Sequence, residues 1–192
     1  MAVRALLYGH SQTGGMGIDL SAALQARGWK VKRVVHNGAD DGELLALLPA
    51  VGDLAGFDRV WLYGGGNSDA PTVASLKKLV QALGAKRTVL ILPPINVDRD
   101  PAKLAAQTAK NTGNQAGLES LVPVVQNRAN ASEFSADSIH MRAGSAASKA
   151  AAQEAIAAAS GSSGAGWALA AIGAAALGYA VWRAGRRKGR TV

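Results

Sequence analysis

Apolar runs and stretches of helical periodicity alternate along residues 1–158 of the chain. The apolar, β-branched runs predict five strands, at residues 3–8, 30–35, 59–63, 88–92 and 121–125. The intervening patterns predict five helices, at residues 18–27, 42–48, 72–83, 103–120 and 143–158. Because strands that alternate with helices are typical of βα units, the pattern predicts an α/β domain with a central parallel five-stranded sheet.

The pattern changes at residue 159, where three shorter segments begin. Residues 159–166 contain only Ala, Ser and Gly, a composition typical of a flexible linker. Residues 167–182 carry no charge and have Trp at both ends, which predicts a single transmembrane helix with interfacial anchors. The segment is slightly shorter than the roughly 20 residues that span a bilayer, so a water-soluble Ala-rich helix, or an arm packed on a partner, stays open. Residues 183–192 form a basic tail.

The net charge of +8 is unevenly distributed along the chain. Residues 1–160 contain 16 of the 21 Lys and Arg and all 13 Asp and Glu, so this part carries only +3. A nearly balanced domain argues against nucleic acid as a partner. The basic tail suits the cytoplasmic side of a membrane, so a C-terminal anchor places the domain on the other side. Without that anchor, we expect a soluble protein.

The chain contains no cysteine. This excludes disulfides, a catalytic thiolate and a cysteine-ligated metal. No group of His, Asp and Glu has the spacing of a zinc site, so we predict no metal.

Polar or irregular fragments follow four of the predicted strands directly. In chain order they are Gly9-His10-Ser11, Asn37-Gly38, Gly65-Gly66-Asn67 and Pro93-Pro94. The carboxyl ends of parallel strands lie at one edge of a sheet, where open α/β sheets bind their ligands. We therefore expect these fragments to converge on one crevice.

Ser11, Asp137 and His140 are the residue types of a catalytic triad. Ser11 lies where the first strand turns into the first helix, and Asp137 and His140 lie in a loop before the last helix. A serine becomes nucleophilic when an imidazole takes its proton and a carboxylate orients that imidazole. The simpler alternatives are that Ser11 and Asp137 cap helices and that His140 is a surface residue.

In this order the fragments resemble the four sequence blocks of the SGNH (GDSL-type) esterases and lipases. The first block of that family usually reads Gly-Asp-Ser, so His10 before Ser11 is a departure. Asp137 and His140 resemble the last block, Asp-x-x-His. The resemblance covers residues 3–158 and implies a flavodoxin-like, three-layer α/β/α sandwich that uses no cofactor.

The resemblance also implies a role for each residue of the blocks. Ser11 is the nucleophile, His140 the general base and Asp137 its orienting partner. The amides of Ser11 and Gly38 and the side chain of Asn67 are the oxyanion donors. The implied activity is a serine esterase for an acylated small molecule or carbohydrate. The compact domain favours a small acyl group such as acetyl, and the membrane anchor favours cell-envelope material.

Two other functions stay open at this point. One is a catalytically inactive SGNH-like domain that serves as a binding or structural module. The other is a flavodoxin-like FMN protein, because residues 11–17 also resemble a flavodoxin phosphate-binding loop. Against FMN, Trp61 and Tyr63 fall within a predicted strand instead of loops beside a flavin ring, and Asp137 and His140 have no role.

Overall fold

The structure, a computed structural model, describes residues 2–161. The strands are β1 (Arg4–Gly9), β2 (Lys30–Val35), β3 (Arg59–Tyr63), β4 (Thr88–Ile91), β5 (Ile95–Asn96), β6 (Val124–Val125) and β7 (Arg128–Ala129). The α-helices are α1 (Gln12–Gln25), α2 (Asp41–Leu47), α3 (Val73–Leu83), α4 (Pro101–Leu118) and α5 (Ala146–Ser160). Short 3-10 helices cover Leu48–Val51, Ala85–Arg87 and Ala131–Glu133.

The main sheet has five parallel strands in the order β2-β1-β3-β4-β6, while β5 and β7 form a separate parallel pair. This confirms the predicted α/β class and the parallel five-stranded sheet. The order matches the flavodoxin-like arrangement, in which the chain changes direction across the sheet between β1 and β3. The ends of β1 and β3 therefore border the crevice expected to bind a ligand.

Side chains of the central strands alternate between two covered faces of the sheet. Leu6 and Tyr8 belong to a buried apolar cluster shared with α2, α3 and α4. On the opposite face Leu7 lies against α1, and the indole N–H of Trp61 donates to the Ala155 carbonyl of α5 at 2.9 Å. Helices thus cover both faces, which gives the expected three layers.

The first helix begins earlier than predicted. The prediction places a helix at 18–27, yet α1 begins at Gln12 and includes glycines at 14, 15 and 17, which have low helix propensity. Tertiary packing explains the difference: a Cβ at Gly15 would lie 2.8 Å from the Met141 carbonyl oxygen. The missing side chain lets α1 approach the loop after β7, and this packing offsets the low helix propensity of glycine.

Other boundaries also differ from the prediction, among them those of β6 and α5. The strand expected at 121–125 is limited to Val124–Val125, because residues 121–122 form a turn that closes on the Leu118 carbonyl. The last helix begins at Ala146, after Gly144 with φ of 79°, and not at residue 143. It extends to Ser160, so the first two residues of the expected linker are helical.

The predicted transmembrane helix at residues 167–182 and the basic tail at 183–192 lie outside the described residues. Within residues 2–161, the structure contains no helix of the length and apolar character that crossing a bilayer requires.

Candidate active site

The turn from β1 into α1 exposes Ser11 to the crevice. Gly9 has φ of 151°, and a Cβ there would lie 2.2 Å from the Tyr63 carbonyl oxygen, so only glycine fits. Ser11 occupies the N-cap position of α1, but its side chain makes no capping hydrogen bond. Its Oγ lies instead 2.6 Å from Nε2 of His140. The hydroxyl is therefore directed at an imidazole, and Ser11 does not act as a helix cap.

Asp137 holds both the backbone and the ring of His140. Its Oδ1 accepts hydrogen bonds from the amides of Ile139 at 2.9 Å and His140 at 3.0 Å. Its Oδ2 lies 2.5 Å from Nδ1 of His140. Partial burial raises the pKa of Asp137, but the hydrogen bonds from the His140 ring and from the two amides outweigh it and lower the pKa to about 2. The carboxylate is thus ionised and orients the ring toward Ser11.

The loop that carries His140 is fixed at both ends and in the middle. Phe134 and Met141 are buried and form an antiparallel bridge across its base. Ser138 adopts a left-handed conformation with φ of 57°, which closes the turn. The side-chain amide of Gln12, at the start of α1, donates from Nε2 to the Ile139 carbonyl at 2.8 Å. This hydrogen bond joins the segment after Ser11 to the segment before His140.

The loop after β3 places Asn67 in the same cleft as Ser11. The cleft has a volume of about 460 Å³ and is also lined by Ile139. Nδ2 of Asn67 donates to the Ala39 carbonyl at 2.8 Å. An amide nitrogen carries two hydrogens, so one of them stays available to a ligand.

Two charged residues support the Asn67 loop from below. The buried Asp41 accepts the Gly65 amide at 3.0 and 3.1 Å and a hydrogen bond from the Thr72 hydroxyl. Nζ of Lys110 donates to the carbonyls of Gly66 at 2.7 Å and Ser68 at 2.8 Å. Burial raises the pKa of Asp41 and lowers that of Lys110. Sequence reasoning missed both residues, because their role depends on contacts between distant segments.

Gly38 lies beside this cleft and not among the residues that line it. It lines a separate depression together with Glu43 and Leu47, in a turn where its φ is 78°. Asn67 binds Ala39, the next residue in the chain, so the turn adjoins the cleft at Asn67. Of the predicted site residues, the structure thus joins Ser11, His140 and Asp137 by direct contacts, lines the cleft with Asn67, and leaves Gly38 at its edge.

His10 stands where the resembled sequence block has an aspartate, and its side chain contributes to the packing of the cleft. The side chain is only 2 % exposed, and its ring lies directly under Gly66, where a Cβ would be 2.5 Å from Nε2. Nδ1 accepts the Gln12 amide at 3.4 Å, while within residues 2–161 Nε2 has no hydrogen-bond partner. Burial lowers the pKa of His10 to about 4, so the ring is neutral at pH 7. His10 therefore packs the floor of the cleft as an uncharged ring.

Helix α4 supplies basic residues to the cleft that sequence reasoning did not assign. Lys103, Gln107 and Lys110 all line it, together with Arg99 from the loop before the helix. Positions 103, 107 and 110 are spaced by four and three residues, the pattern of one helix face. That spacing indicates in the sequence that they share a helix face, but it does not indicate that this face borders Ser11.

The geometry of α1 argues against the flavodoxin-like alternative. Residues 12–17 are the first turns of α1 and do not form the open loop that the flavodoxin resemblance requires. Within the described part of the chain, His, Asp and Glu nowhere form a group of three or more that could hold a metal ion.

The fold and the contacts together define a class of protein. It is a parallel α/β/α sandwich in which a serine, a histidine and an aspartate are in contact at the carboxyl edge of the sheet. Comparison with solved structures then identifies the fold. Similar structures include the lipase/acylhydrolase of Enterococcus faecalis, with a TM-score of 0.60, 18% identity, and 82% of this chain and 96% of that chain covered. The chain has the fold of the SGNH (GDSL-type) hydrolases.

Two further structures show the same likeness. A variant of an acetyl xylan esterase from Geobacillus stearothermophilus has a TM-score of 0.63, 16% identity, and 84% and 96% coverage of this chain and that chain. A GDSL-like lipase from Bacteroides thetaiotaomicron has a TM-score of 0.53, 14% identity, and 80% and 85% coverage. No protein-family model and no curated protein sequence matches the chain.

Proposed function

We propose that this protein is a serine ester hydrolase in which Ser11, His140 and Asp137 form the catalytic triad. One observation carries the proposal: Ser11 Oγ, the two ring nitrogens of His140 and Asp137 Oδ2 form a continuous series of contacts of 2.6 and 2.5 Å. Ser11 and His140 are 129 residues apart in the chain, so no local turn accounts for this contact. The likeness to esterase and lipase structures supports the same activity.

The first half of the reaction transfers the acyl group to the enzyme. Ser11 Oγ attacks the ester carbonyl carbon while His140 Nε2 takes the hydroxyl proton. Asp137 stabilises the imidazolium through Nδ1. As the tetrahedral intermediate collapses, the ester C–O bond breaks and His140 returns the proton to the departing alcohol oxygen. The products are a free alcohol and an acyl ester of Ser11.

The second half repeats these steps with water. His140 takes a proton from the water molecule as its oxygen attacks the acyl carbon, and then gives the proton back to Ser11 Oγ. The acyl group leaves as a carboxylic acid. The reaction consumes one water molecule for each ester, and no redox step is required.

Three N–H groups are the proposed donors to the oxyanion of the tetrahedral intermediate. The Ser11 amide at the start of α1 makes no hydrogen bond to another residue of 2–161, and neither does the amide of Gly38. Asn67 contributes its remaining Nδ2 hydrogen. Donors aimed at the place where negative charge develops supply a large part of the rate enhancement in acyl transfer.

The proposed substrate is a small acyl ester, such as an acetyl ester of a carbohydrate. The cleft has a volume of about 460 Å³, in the lower half of the roughly 300–1,000 Å³ range of ligand pockets, which favours a short acyl chain. The similar structures include acetyl xylan and acetyl-xylooligosaccharide esterases. Cell-envelope carbohydrate is the proposed source of this ester if residues 167–182 anchor the chain in a membrane.

Covalent labelling of the full chain with a fluorophosphonate tests the proposal without knowledge of the substrate. We expect one adduct, mapped by peptide mass spectrometry to Ser11, which is absent in Ser11→Ala and strongly slowed in His140→Ala. Circular dichroism of each variant establishes that it is folded. Absence of the adduct on the folded wild-type protein contradicts the proposal and favours the inactive binding module.

A further inference from the structure

The cleft that contains Ser11 has positive charge on one side. Arg99, Lys103 and Lys110 line it, and Asp69 is the one carboxylate among its described lining residues. His10, on the floor, is neutral because burial lowers its pKa. Three cations against one carboxylate leave an excess of positive charge in a domain that is otherwise nearly balanced.

The start of α4 explains why two of these cations face the cleft. The Asp100 carboxylate caps the helix by accepting the amides of Ala102 and Lys103. Nη1 of Arg99 lies 3.3 Å from Oε1 of Gln107, which holds the guanidinium against the helix face that also carries Lys103. The helix thus fixes the backbone of Lys103 at the cleft, and Gln107 holds the guanidinium of Arg99 beside it.

Arg99 and Lys103 have no acidic partner within residues 2–161. In that range the one carboxylate within ion-pair distance of a cationic or titratable nitrogen is Asp137, which contacts His140. The carboxylates nearest Arg99 in the chain are already used, since Asp98 accepts the Ala131 amide at 2.8 Å and Asp100 caps α4. Lys110, in contrast, donates to two backbone carbonyls and supports the Asn67 loop.

We propose that this cleft selects esters that carry an anionic group, a carboxylate or a phosphate, next to the scissile ester, and that Arg99 and Lys103 bind that group. The inference rests on the proposed esterase function and adds the substrate class to it. A guanidinium donates two parallel N–H groups to an oxyanion, and the Lys103 ammonium adds a second charge. Arg99 and Lys103 are thus the specificity-determining residues for this anion.

Three synthetic acetates with similar leaving groups test the inference on the full chain. They are 4-acetoxyphenylacetamide, which is neutral, 4-acetoxyphenylacetate, which carries a carboxylate, and 4-acetoxybenzylphosphonate, which represents a phosphate. We expect the wild-type kcat/KM to be about tenfold higher for at least one anionic ester than for the amide, because only the anionic esters form charge-assisted hydrogen bonds with Arg99 and Lys103. The anionic ester with the higher kcat/KM shows whether the selected group is a carboxylate or a phosphate.

Variants assign the preference to the two residues. Arg99→Gln and Lys103→Gln are each expected to lower kcat/KM several-fold more for the anionic ester than for the amide, and the double variant is expected to lose most of the preference. Arg99→Lys keeps the positive charge and is expected to retain part of the preference for the anionic ester. Lys149→Gln removes the same charge from an exposed position on α5 and is the matched control. Raising the salt concentration is expected to weaken the preference as well.

Failure of this inference differs from failure of the esterase proposal. If the wild-type protein hydrolyses all three esters equally, or if Arg99→Gln and Lys103→Gln slow all three alike, anion selection is wrong and the esterase stands. If nothing is hydrolysed and the fluorophosphonate does not react, the esterase is wrong. In that case, calorimetry of 4-hydroxyphenylacetate and 4-hydroxybenzylphosphonate binding to Ser11→Ala still tests anion recognition. Equal Kd values for Ser11→Ala and for the double variant with Arg99→Gln overturn anion recognition by Arg99.

Discussion

Asp137 performs two tasks with its two carboxylate oxygens, and a substitution can separate them. Oδ1 closes the turn through two amides, whereas Oδ2 orients His140. Asn at this position keeps the turn but presents an amide N–H to Nδ1, which favours the wrong tautomer of His140. We therefore expect Asp137→Asn to lower kcat by about 10³–10⁴-fold with little change in Tm.

The measurement is 4-nitrophenyl acetate hydrolysis together with thermal unfolding. Asp137→Ala is the companion variant, because it removes both tasks and should also lower Tm. If Asp137→Asn retains wild-type kcat, Asp137 has only the structural role of closing the turn.

Asn67 is the proposed oxyanion donor that mutation can test most directly. Asn67→Ala removes the Nδ2 donor, and the loss of one such donor costs about 2.7–4 kcal/mol, or about 10²–10³ in kcat. The fold should persist, because Asp41 and Lys110 still hold the loop. Steady-state kinetics with a short acyl ester give the answer, and an unchanged kcat removes Asn67 from the mechanism.

His10 should make stability depend on pH. Burial lowers its pKa in the folded protein to about 4, from 6.5 when unfolded. Below pH 6.5 the unfolded chain binds a proton that the folded protein excludes until about pH 4. The contribution of His10 to the free energy of unfolding is therefore fully present above pH 6.5 and falls by up to about 3 kcal/mol as the pH drops to 4.

Urea denaturation of wild type and His10→Asn at pH 7, 5.5 and 4.5 isolates this contribution. The two proteins share all other titrating groups. The free energy of unfolding of the wild type minus that of His10→Asn should therefore decrease as the pH falls. Parallel pH profiles contradict a neutral buried His10.

At the scale of elements, α1 shows how a contact overrides local propensity. Gly15 faces the Met141 carbonyl, where a Cβ would lie 2.8 Å away, whereas a Cβ at Gly14 would meet only Val35 at 3.7 Å. We expect Gly15→Ala to lower the free energy of unfolding by about 1–3 kcal/mol through overpacking. It should also lower kcat, because it pushes α1 away from the loop that carries His140.

Gly14→Ala is the matched control in the same helix. It should leave stability unchanged or raise it by up to about 1 kcal/mol, since Ala is the better helix former. Urea midpoints and kcat of both variants decide the matter, and equal stabilisation by both substitutions rules out a tight contact at Gly15.

Elements whose pattern is local were predicted well. The predicted bounds 30–35 and 59–63 coincide with β2 and β3, because apolar runs bounded by turn residues define a strand without further context. The start of α1 was not predicted, since it depends on a loop distant in the chain, and the strand predicted at 121–125 is limited to two residues. The basic face of α4 has a helical spacing, but nothing in the sequence alone indicates that this face borders Ser11.

For the whole molecule, the prediction of a membrane helix at residues 167–182 can be tested directly. If residues 167–182 form a membrane helix, the full chain should enter the detergent phase of Triton X-114, while a chain of residues 1–160 stays in the aqueous phase. Ala174→Arg places a charge at the middle of the segment at a cost of about 2.5–3.5 kcal/mol and should reduce this partitioning. Aqueous partitioning of all three proteins contradicts the anchor.

The α/β class, the parallel sheet and the edge at which Ser11 and Asn67 gather follow from the amino-acid sequence, since hydrophobic period and strand ends are local properties. Ser11, Asp137 and His140 could also be named as candidates from the sequence. The folded structure was needed to show that His140 approaches Ser11 to 2.6 Å, that Gly38 lies at the edge of the cleft, and that Arg99 and Lys103 line it. These outcomes depend on how closely helices and loops from distant parts of the chain pack, and no local pattern encodes that distance.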